Sequence, residues 1–226
     1  MKINIKNIKV KSICATLFIS LFLSCNNGGP EIREGQAATA DGTVIDLKTV
    51  SKKIKEASEF AVGVKEIGGL VDSLDGLAKG IGKKIVSSGI ATESTHNNKN
   101  NGLMAGVYEV ALLIETKAKN LQVGESLGDR DLQTKVDTVK TKAEAFKNKL
   151  TNQHTDLGSS SGTTDTNAQQ AIDRKTHGSN GTHGAKELAE LYAAVTVLMK
   201  TAKDVLKETI KGIAEPVKIE FAAKVN

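Results

Sequence analysis

The feature that most constrains this chain is a long helical repeat that begins at Leu47. Apolar residues recur there in steps of three and four, at positions 47, 50, 54, 57, 61, 64, 67, 71, 74, 78, 81 and 85. This spacing places them along one side of an α-helix, which has 3.6 residues per turn. A continuous helix from Asp46 to Val86 would be about 60 Å long. The chain is therefore expected to build its core from long helices.

Glycines interrupt this repeat at positions 63, 68, 69, 76, 80 and 82. In a helix interior, each glycine costs up to about 1 kcal/mol relative to alanine. We therefore predict one long helix to about residue 74, followed by a break or a second short helix near 77–86.

Three further long helices follow from the same kind of spacing. Leu103–Leu121 is apolar almost all round, which is typical of a helix buried at the centre of a domain. Residues 132–150 carry a stripe of Leu, Val, Ala and Phe with lysines on the other face, and residues 185–213 form a last helix that Pro216 ends. The predicted fold class is all-α, an up-down bundle of four main helices with short extra helices.

The segments between these helices are polar. Residues 90–102 are expected to form a loop, residues 124–129 a turn, and residues 155–183 a long loop with one short helix at 167–174. In an up-down bundle, the C-terminus returns to the end where the chain began. An N-terminal membrane anchor would then direct 90–102 and 155–183 away from the membrane and 122–130 towards it.

The first 24 residues are predicted to be a signal peptide. Four lysines precede an apolar stretch, Ser12–Ser24, which at about 1.5 Å per residue is too short to span a bilayer core of about 30 Å. The context Phe22-Leu23-Ser24-Cys25 resembles a relaxed bacterial lipobox of the spirochaetal kind. Cleavage between Ser24 and Cys25, with lipidation of Cys25, is therefore expected.

The anchor accounts for the cysteine content and much of the charge. Of the two cysteines, Cys14 would leave with the signal and Cys25 would carry acyl chains, so neither a disulfide nor a cysteine metal site is expected. Four of the 31 basic residues and none of the 26 acidic residues lie in 1–24, so the remaining chain has a net charge of +1. That charge does not favour nucleic-acid binding. We assign 25–45 to a lipidated flexible tether, 46–217 to the bundle domain and 218–226 to a C-terminal tail.

Several stretches together resemble the borrelial outer surface protein C and variable small protein family, nearer the variable small protein branch. They are Ser51–Ile54, Val64–Ile67, Ile81–Ile85, Leu103–Gly106, Phe146–Gly158 and Gly184–Leu188 with the following helix. They occur in family order and cover essentially all of 46–217, and His154–Gly158 is the most specific of them.

This resemblance implies a lipoprotein on the outer membrane that faces the exterior. It implies antigenic variation for immune evasion, a homodimer, and contact with host antibodies, glycosaminoglycans or serum proteins. It also allows a minor two-strand element near 87–102. The alternatives are a dedicated adhesin without an antigenic switch, and a solute-binding lipoprotein, which would require a βαβ rhythm that is missing from the sequence.

The chemistry-bearing residues favour binding over catalysis. Candidates for binding a polyanion are Lys52, Lys53, Lys55, Lys83 and Lys84, although interleaved acids such as Glu56 and Glu59 also fit a solvated face. The four histidines lie in or beside polar segments and lack metal-site spacing, and no Gly-x-Ser-x-Gly elbow occurs. We expect no enzyme activity, no cofactor and no metal.

The stripe of the first helix has two interpretations. It packs inside its own bundle, or it forms the seam of a dimer. The sequence leaves both open.

Overall fold

The computed structural model describes residues 34–38, 44–93, 98–128 and 130–214. Its elements in chain order are β1 (Gln36–Ala38), β2 (Val44–Asp46), α1 (Leu47–Ala78), β3 (Lys83–Val86), β4 (Gly89–Thr92), α2 (Asn101–Asn120), a 3-10 turn (Glu125–Leu127), α3 (Arg130–Asn152), α4 (His154–Leu157), α5 (Asp165–Ile172), α6 (Arg174–His177) and α7 (Ala185–Ala214). The predicted helical bundle is confirmed, with α1, α2, α3 and α7 as its four long helices.

The chain divides into two compact units. The smaller unit comprises the described residues up to Ile54 and the described residues from Glu208 onwards, and the larger unit comprises those of Lys55–Lys207. In the smaller unit, β1 pairs antiparallel with β2, with Gln36 opposite Asp46 and Ala38 opposite Val44. The residues predicted to form a flexible tether, 25–45, thus include paired strands, so the prediction of a tether without secondary structure is wrong for this part.

Asp46 starts helix α1. Its carboxylate accepts hydrogen bonds from the backbone N–H groups of Lys48 at 2.9 Å and Thr49 at 3.1 Å, as an N-cap side chain does. The backbone N–H of Thr49, followed by its hydroxyl, lowers the pKa of the Asp46 carboxyl.

The long helices of the larger unit alternate in direction. Glu66 of α1 pairs with Lys117 of α2 at 2.8 Å, and Gly63 lies against Leu121, beyond the end of α2. Helices α1 and α2 are therefore antiparallel. Helices α3 and α7 are also antiparallel, because Lys142 lies 2.6 Å from Glu190 while Phe146 and Leu150, further along α3, lie beside Gly184, before α7 begins. The predicted up-down order is confirmed.

Helix α1 continues through most of its glycines because its neighbours pack closely on it. A Cβ at Gly68 would lie 2.6 Å from the Sδ of Met199 and 3.7 Å from a methyl of Val195. The glycine thus lets α7 approach α1, and the contact offsets the weak helix propensity of the residue. The stripe of α1 is buried within the larger unit, with Val64, Ile67, Val71 and Leu74 at most 1% exposed. Of the two interpretations of this stripe, packing in its own bundle is confirmed.

Among the residues that the structure describes, the core contains one buried acid. Glu115 of α2 pairs with Lys119 at 2.8 Å and with Lys147 of α3 at 3.2 Å. The hydrogen bond from Lys119, aided by Lys147, lowers the pKa of the Glu115 carboxyl against the opposing effect of burial. Side chains fully buried around the bundle axis include Phe146, Ile114, Leu132, Leu188, Leu191 and Leu198.

The break after α1 is present, but the second short helix predicted near 77–86 is wrong. Residues 83–92 instead form an antiparallel hairpin in which Lys83 faces Thr92 and Val86 faces Gly89. Gly82 (φ 63°) and Gly89 (φ 120°) take conformations that favour glycine, and the β-branched pair Ile85 and Val86 favours a strand. The two-strand element expected near 87–102 therefore exists and begins earlier, at Lys83.

The short helix predicted at 167–174 is present as α5 (Asp165–Ile172), but the rest of 155–183 is not one long loop. Three short helices, α4, α5 and α6, occupy this segment, and Ala168, Ala171 and Ile172 of α5 are buried. Thr164 starts α5, since its hydroxyl accepts a hydrogen bond from the Asn167 N–H at 3.0 Å. Local capping and a small apolar face thus stabilise this helix within a segment rich in Gly, Ser and Thr.

Candidate functional site: a polar cap and an outward helix face

The predicted lipidation and cleavage residues, Ser24 and Cys25, lie outside the described residues. Their roles remain predictions.

The predicted polyanion-binding lysines are divided between the two units, and those of the larger unit lie far apart. Lys52 and Lys53 belong to the smaller unit, while Lys55, Lys83 and Lys84 belong to the larger one. Within the larger unit, 23 residues of helix separate Lys55 from the end of α1 at Ala78, which corresponds to about 35 Å. Lys55 also lies 3.8 Å from the Glu59 carboxylate. Lys83 and Lys84 therefore form a separate basic site on strand β3.

We call the described residues of 79–100 together with 153–184 the cap, because they cover the end of the bundle opposite the 121–128 connection. Asn100 holds it together from a buried position. Its side-chain amide donates to the Thr163 carbonyl at 3.1 Å and to the Asp165 carboxylate at 2.8 Å, and its Oδ1 accepts from the Gly82 N–H at 3.2 Å. One side chain thus joins the hairpin to the segment before α5.

A second layer of hydrogen bonds uses backbone groups. Asn101 donates to the Ser159 carbonyl at 2.7 Å, and the Thr163 hydroxyl donates to the Leu157 carbonyl at 2.6 Å. Because these side chains bind backbone oxygens, the shape of the cap depends little on its exposed side chains.

Among the histidines that the structure describes, only His183 is buried. Its Nε2 lies 3.0 Å from the Asp156 carboxylate and its Nδ1 lies 3.0 Å from the Gln170 Oε1. The ring therefore joins α4, α5 and the start of α7. Among the described residues, no group of three or more His, Cys, Asp or Glu could hold a metal ion.

The cap is fixed to the bundle by Arg174. Its guanidinium lies 2.8 Å from the Asp75 carboxylate near the end of α1 and 3.4 Å from the ring centroid of Tyr192 on α7. Lys175 adds a second ion pair to Asp75 at 3.1 Å. Asn100, Thr163 and Arg174 are structural residues that sequence patterns did not identify, because their partners lie far away along the chain, Thr163 63 positions from Asn100 and Asp75 99 positions from Arg174.

A groove of about 600 Å³ lies at the other end of the larger unit, between α1 and residues 121–125. Phe60, Leu121 and Val123 supply its apolar side, and Glu56, Glu59, Glu66 and Glu125 its acidic side. The Glu56 carboxylate accepts a hydrogen bond from the backbone N–H of Ser126 at 2.9 Å. This carboxylate therefore anchors the connection.

One face of helix α2 is exposed and carries a single charged residue. Along that face lie Gly102, Ala105, Gly106, Glu109, Leu112, Leu113 and Thr116, all exposed. Leu112 and Leu113 are 40% and 43% exposed, and the three small residues would allow another surface to approach closely. The prediction that this helix is buried at the centre of the domain is therefore wrong for the exposed face.

Among the described helices, none is long and apolar enough to cross a bilayer.

The comparisons with known proteins agree on one family. The model Lipoprotein_6, described as "Lipoprotein", matches residues 44–219. Outer surface protein C of Borreliella burgdorferi is 40% identical over 219 residues, which cover 95% of this chain and 97% of that protein. Variable small protein 11 of Borrelia hermsii is 38% identical over 211 residues, covering 93% and 98%. The solved structure of Variable Small Protein 1 of Borrelia turicatae is similar with a TM-score of 0.67 and 36% identity, covering 74% of this chain and 99% of that one.

Proposed function

Starting from the fact that this chain belongs to the Lipoprotein_6 family, with outer surface protein C and the variable small proteins among its relatives, we propose that it is expressed variably for immune evasion. It is an outer-membrane lipoprotein and a surface antigen. The observation that carries the finer proposal is that relatives over almost the whole chain include a protein named for its variability.

The direction of the cap follows from the topology of the larger unit. The chain enters this unit at Lys55 and leaves it at Lys207, both at the end that holds residues 121–128. An anchor at Cys25 would place that end nearer the membrane and the cap nearer the host. This supports the cap as the main target of host antibodies.

Accessibility on intact cells tests this orientation. Limited proteolysis and epitope mapping should detect the cap residues 153–184 before residues 121–128. If 121–128 were the most accessible segment, the orientation would be wrong.

Variable expression is tested by serum reactivity across isolates from one infection. Sera that recognise early isolates should fail on later ones if the antigen is switched. Uniform reactivity across all isolates would leave a constitutive surface protein, and the proposal of a switch would be abandoned.

The outward face of α2 supports a homodimer. Burying two leucines that are 40% and 43% exposed on a second copy would contribute apolar burial at about 25 cal/mol per Å², and the small residues beside them allow close packing. The stripe of α1 is already buried within the subunit, so we assign the proposed seam to α2.

Sedimentation of the non-lipidated protein at tens of micromolar tests the dimer. The wild type should sediment as a dimer and the Leu112→Lys, Leu113→Glu double variant as a monomer, because both charges would lose water in the seam. Val197→Lys, at an exposed position of α7, is the matched control and should remain dimeric. A monomeric wild type would refute the proposal.

The second candidate is an adhesin for glycosaminoglycans or serum proteins without a switch. The observation that favours it is the basic site at Lys83 and Lys84. Heparin binding that is lost in the Lys83→Gln, Lys84→Gln variant and kept in Lys52→Gln, Lys53→Gln would locate this activity on the cap. The solute-binding alternative has no support, since the described residues contain no βαβ unit.

A further inference from the structure

The hairpin β3–β4 presents an unusual outer face. In its register, Lys83 pairs with Thr92 and Ile85 pairs with Ile90, so these four side chains lie on the same side of the two-stranded sheet. Ile85 is 89% exposed and Ile90 is 70% exposed. Among the described large apolar residues these two are the most exposed, and they are direct neighbours.

The charge around these isoleucines has one sign. Between Asp75 and Glu93 the sequence contains no acid, whereas it contains Lys79, Lys83 and Lys84. Glu93 lies at the base of the hairpin, 3.5 Å from Lys84, and Asp165 is held by Asn100. The projecting part of the hairpin is therefore apolar with a basic border.

The face is held in place from behind. Val86 and Ala91 point to the opposite side and are half-buried. The Glu93 N–H donates to the Gly82 carbonyl at 2.9 Å, which closes the base of the hairpin, and Gly82 is bound to Asn100. The backbone that carries the two isoleucines is thus already ordered before anything binds to them.

We propose that this outer face binds an anionic lipid bilayer, with Ile85 and Ile90 inserting below the headgroups while Lys83, on the same face, contacts lipid phosphates and carboxylates; Lys84 lies on the opposite face beside Glu93. The two isoleucine side chains project into solvent, at 89% and 70% exposure. A bilayer needs no matching pocket, and it rewards this combination of buried apolar area and basic charge.

This inference rests on the proposed orientation, because the hairpin must face a membrane other than the one that holds the anchor. A single copy would bind weakly, with each isoleucine contributing about tenfold and Lys83 about fivefold to the affinity. Many copies anchored on one cell would act together and raise the effective affinity by orders of magnitude.

The experiment uses the full lipidated chain in neutral phosphatidylcholine vesicles. Target vesicles of phosphatidylcholine, with or without phosphatidylserine, are added and clustering is followed by light scattering. We expect clustering with anionic targets alone. The Ile85→Ser, Ile90→Ser variant should shift the midpoint in target lipid at least tenfold. The Lys83→Gln variant should weaken the preference for phosphatidylserine more than Lys84→Gln, because Lys84 lies on the opposite face of the hairpin. Val197→Ser, which removes an exposed apolar side chain elsewhere, should behave as the wild type.

Other outcomes overturn the proposal. Clustering that survives the isoleucine substitutions would show that the vesicles are held by charge attraction alone. Clustering without target vesicles would show association between copies of the protein. An absence of clustering with anionic targets would refute lipid binding, unless the hairpin faces the membrane that holds its own anchor. An environment-sensitive dye on Ser88→Cys separates this last case. A dye response in anionic carrier vesicles without targets would refute the orientation and retain the lipid contact, whereas no response in either arrangement would refute the lipid contact itself.

Discussion

Replacing Asn100 by alanine is predicted to loosen the cap while leaving the four-helix core folded. The side chain makes three hydrogen bonds, to Gly82, Thr163 and Asp165. Each contributes about 1 kcal/mol net, and the Asp165 carboxylate and Gly82 N–H can regain water once the cap opens. The expected loss is therefore about 2 kcal/mol, which for a domain of this size lowers Tm by about 4–8 °C.

Two measurements locate the effect. Equilibrium unfolding in urea gives the free energy of unfolding, and native-state hydrogen exchange gives the local opening of the hairpin. The amide of Glu93, which donates to Gly82, should exchange about 30-fold faster in the variant, since about 1.4 kcal/mol corresponds to a factor of ten. Amides in the middle of α3 should change no more than the global stability requires.

Two further variants sharpen the result. Asn180→Ala, at an exposed position of the cap, should change neither measurement. Asn100→Asp keeps the shape of the side chain but turns a carboxylate oxygen towards Asp165, so at pH 7 it should cost at least as much as alanine and recover in part under acid conditions. Unchanged exchange at Glu93 in Asn100→Ala would refute the argument that this side chain holds the hairpin.

Three other substitutions test the bundle and its caps. Phe146→Ala, at a fully buried position, should lower the free energy of unfolding by about 3–5 kcal/mol, measured in urea against the control Asn148→Ala at an exposed position of the same helix. Glu115→Gln should lower the free energy of unfolding by about 1–3 kcal/mol at pH 7. Because the pKa of Glu115 is lowered in the folded state, its stabilising contribution is present above the unfolded pKa of about 4.3 and is lost as the pH falls through the folded pKa. The free energies of unfolding of the two proteins should therefore converge in acid. Thr164→Ala, which removes the N-cap of α5, should cost about 1 kcal/mol, and Thr164→Ser should restore most of it.

The long helices were predictable because each has a continuous apolar stripe. The stripe at Leu132, Val136 and Val139 is 0% exposed in the structure, so its period alone determined both the helix and its buried face. Helix α1 was predicted to about residue 74 and reaches Ala78. Within the helix, Gly68 is accommodated by its contact with Met199 of α7, which periodicity does not reveal.

The cap was not predictable in the same way. A short helix was predicted at 167–174, and α5, which the Thr164 cap and small side chains such as Ala168 and Ala171 stabilise, is that helix. Helices α4 and α6 have four residues each, too few to show a helical period. Asn100 is separated from Thr163 by 63 positions, and no local pattern marks such a pair. The lysines were visible in the sequence, but only the hairpin register places Lys83 beside Ile85 and Ile90 on one face.

The division of labour between core and cap offers a physical reason why a surface antigen could vary without unfolding. The cap is held by Asn100, Asn101 and Thr163 through backbone carbonyls, and by Arg174 through Asp75. Exposed cap residues such as Ser160 and Thr166 take no part in these contacts. Substitutions at such positions typically change stability by no more than about 0.5 kcal/mol. The surface that the proposed orientation turns towards antibodies is thus also the surface where sequence changes cost the fold least.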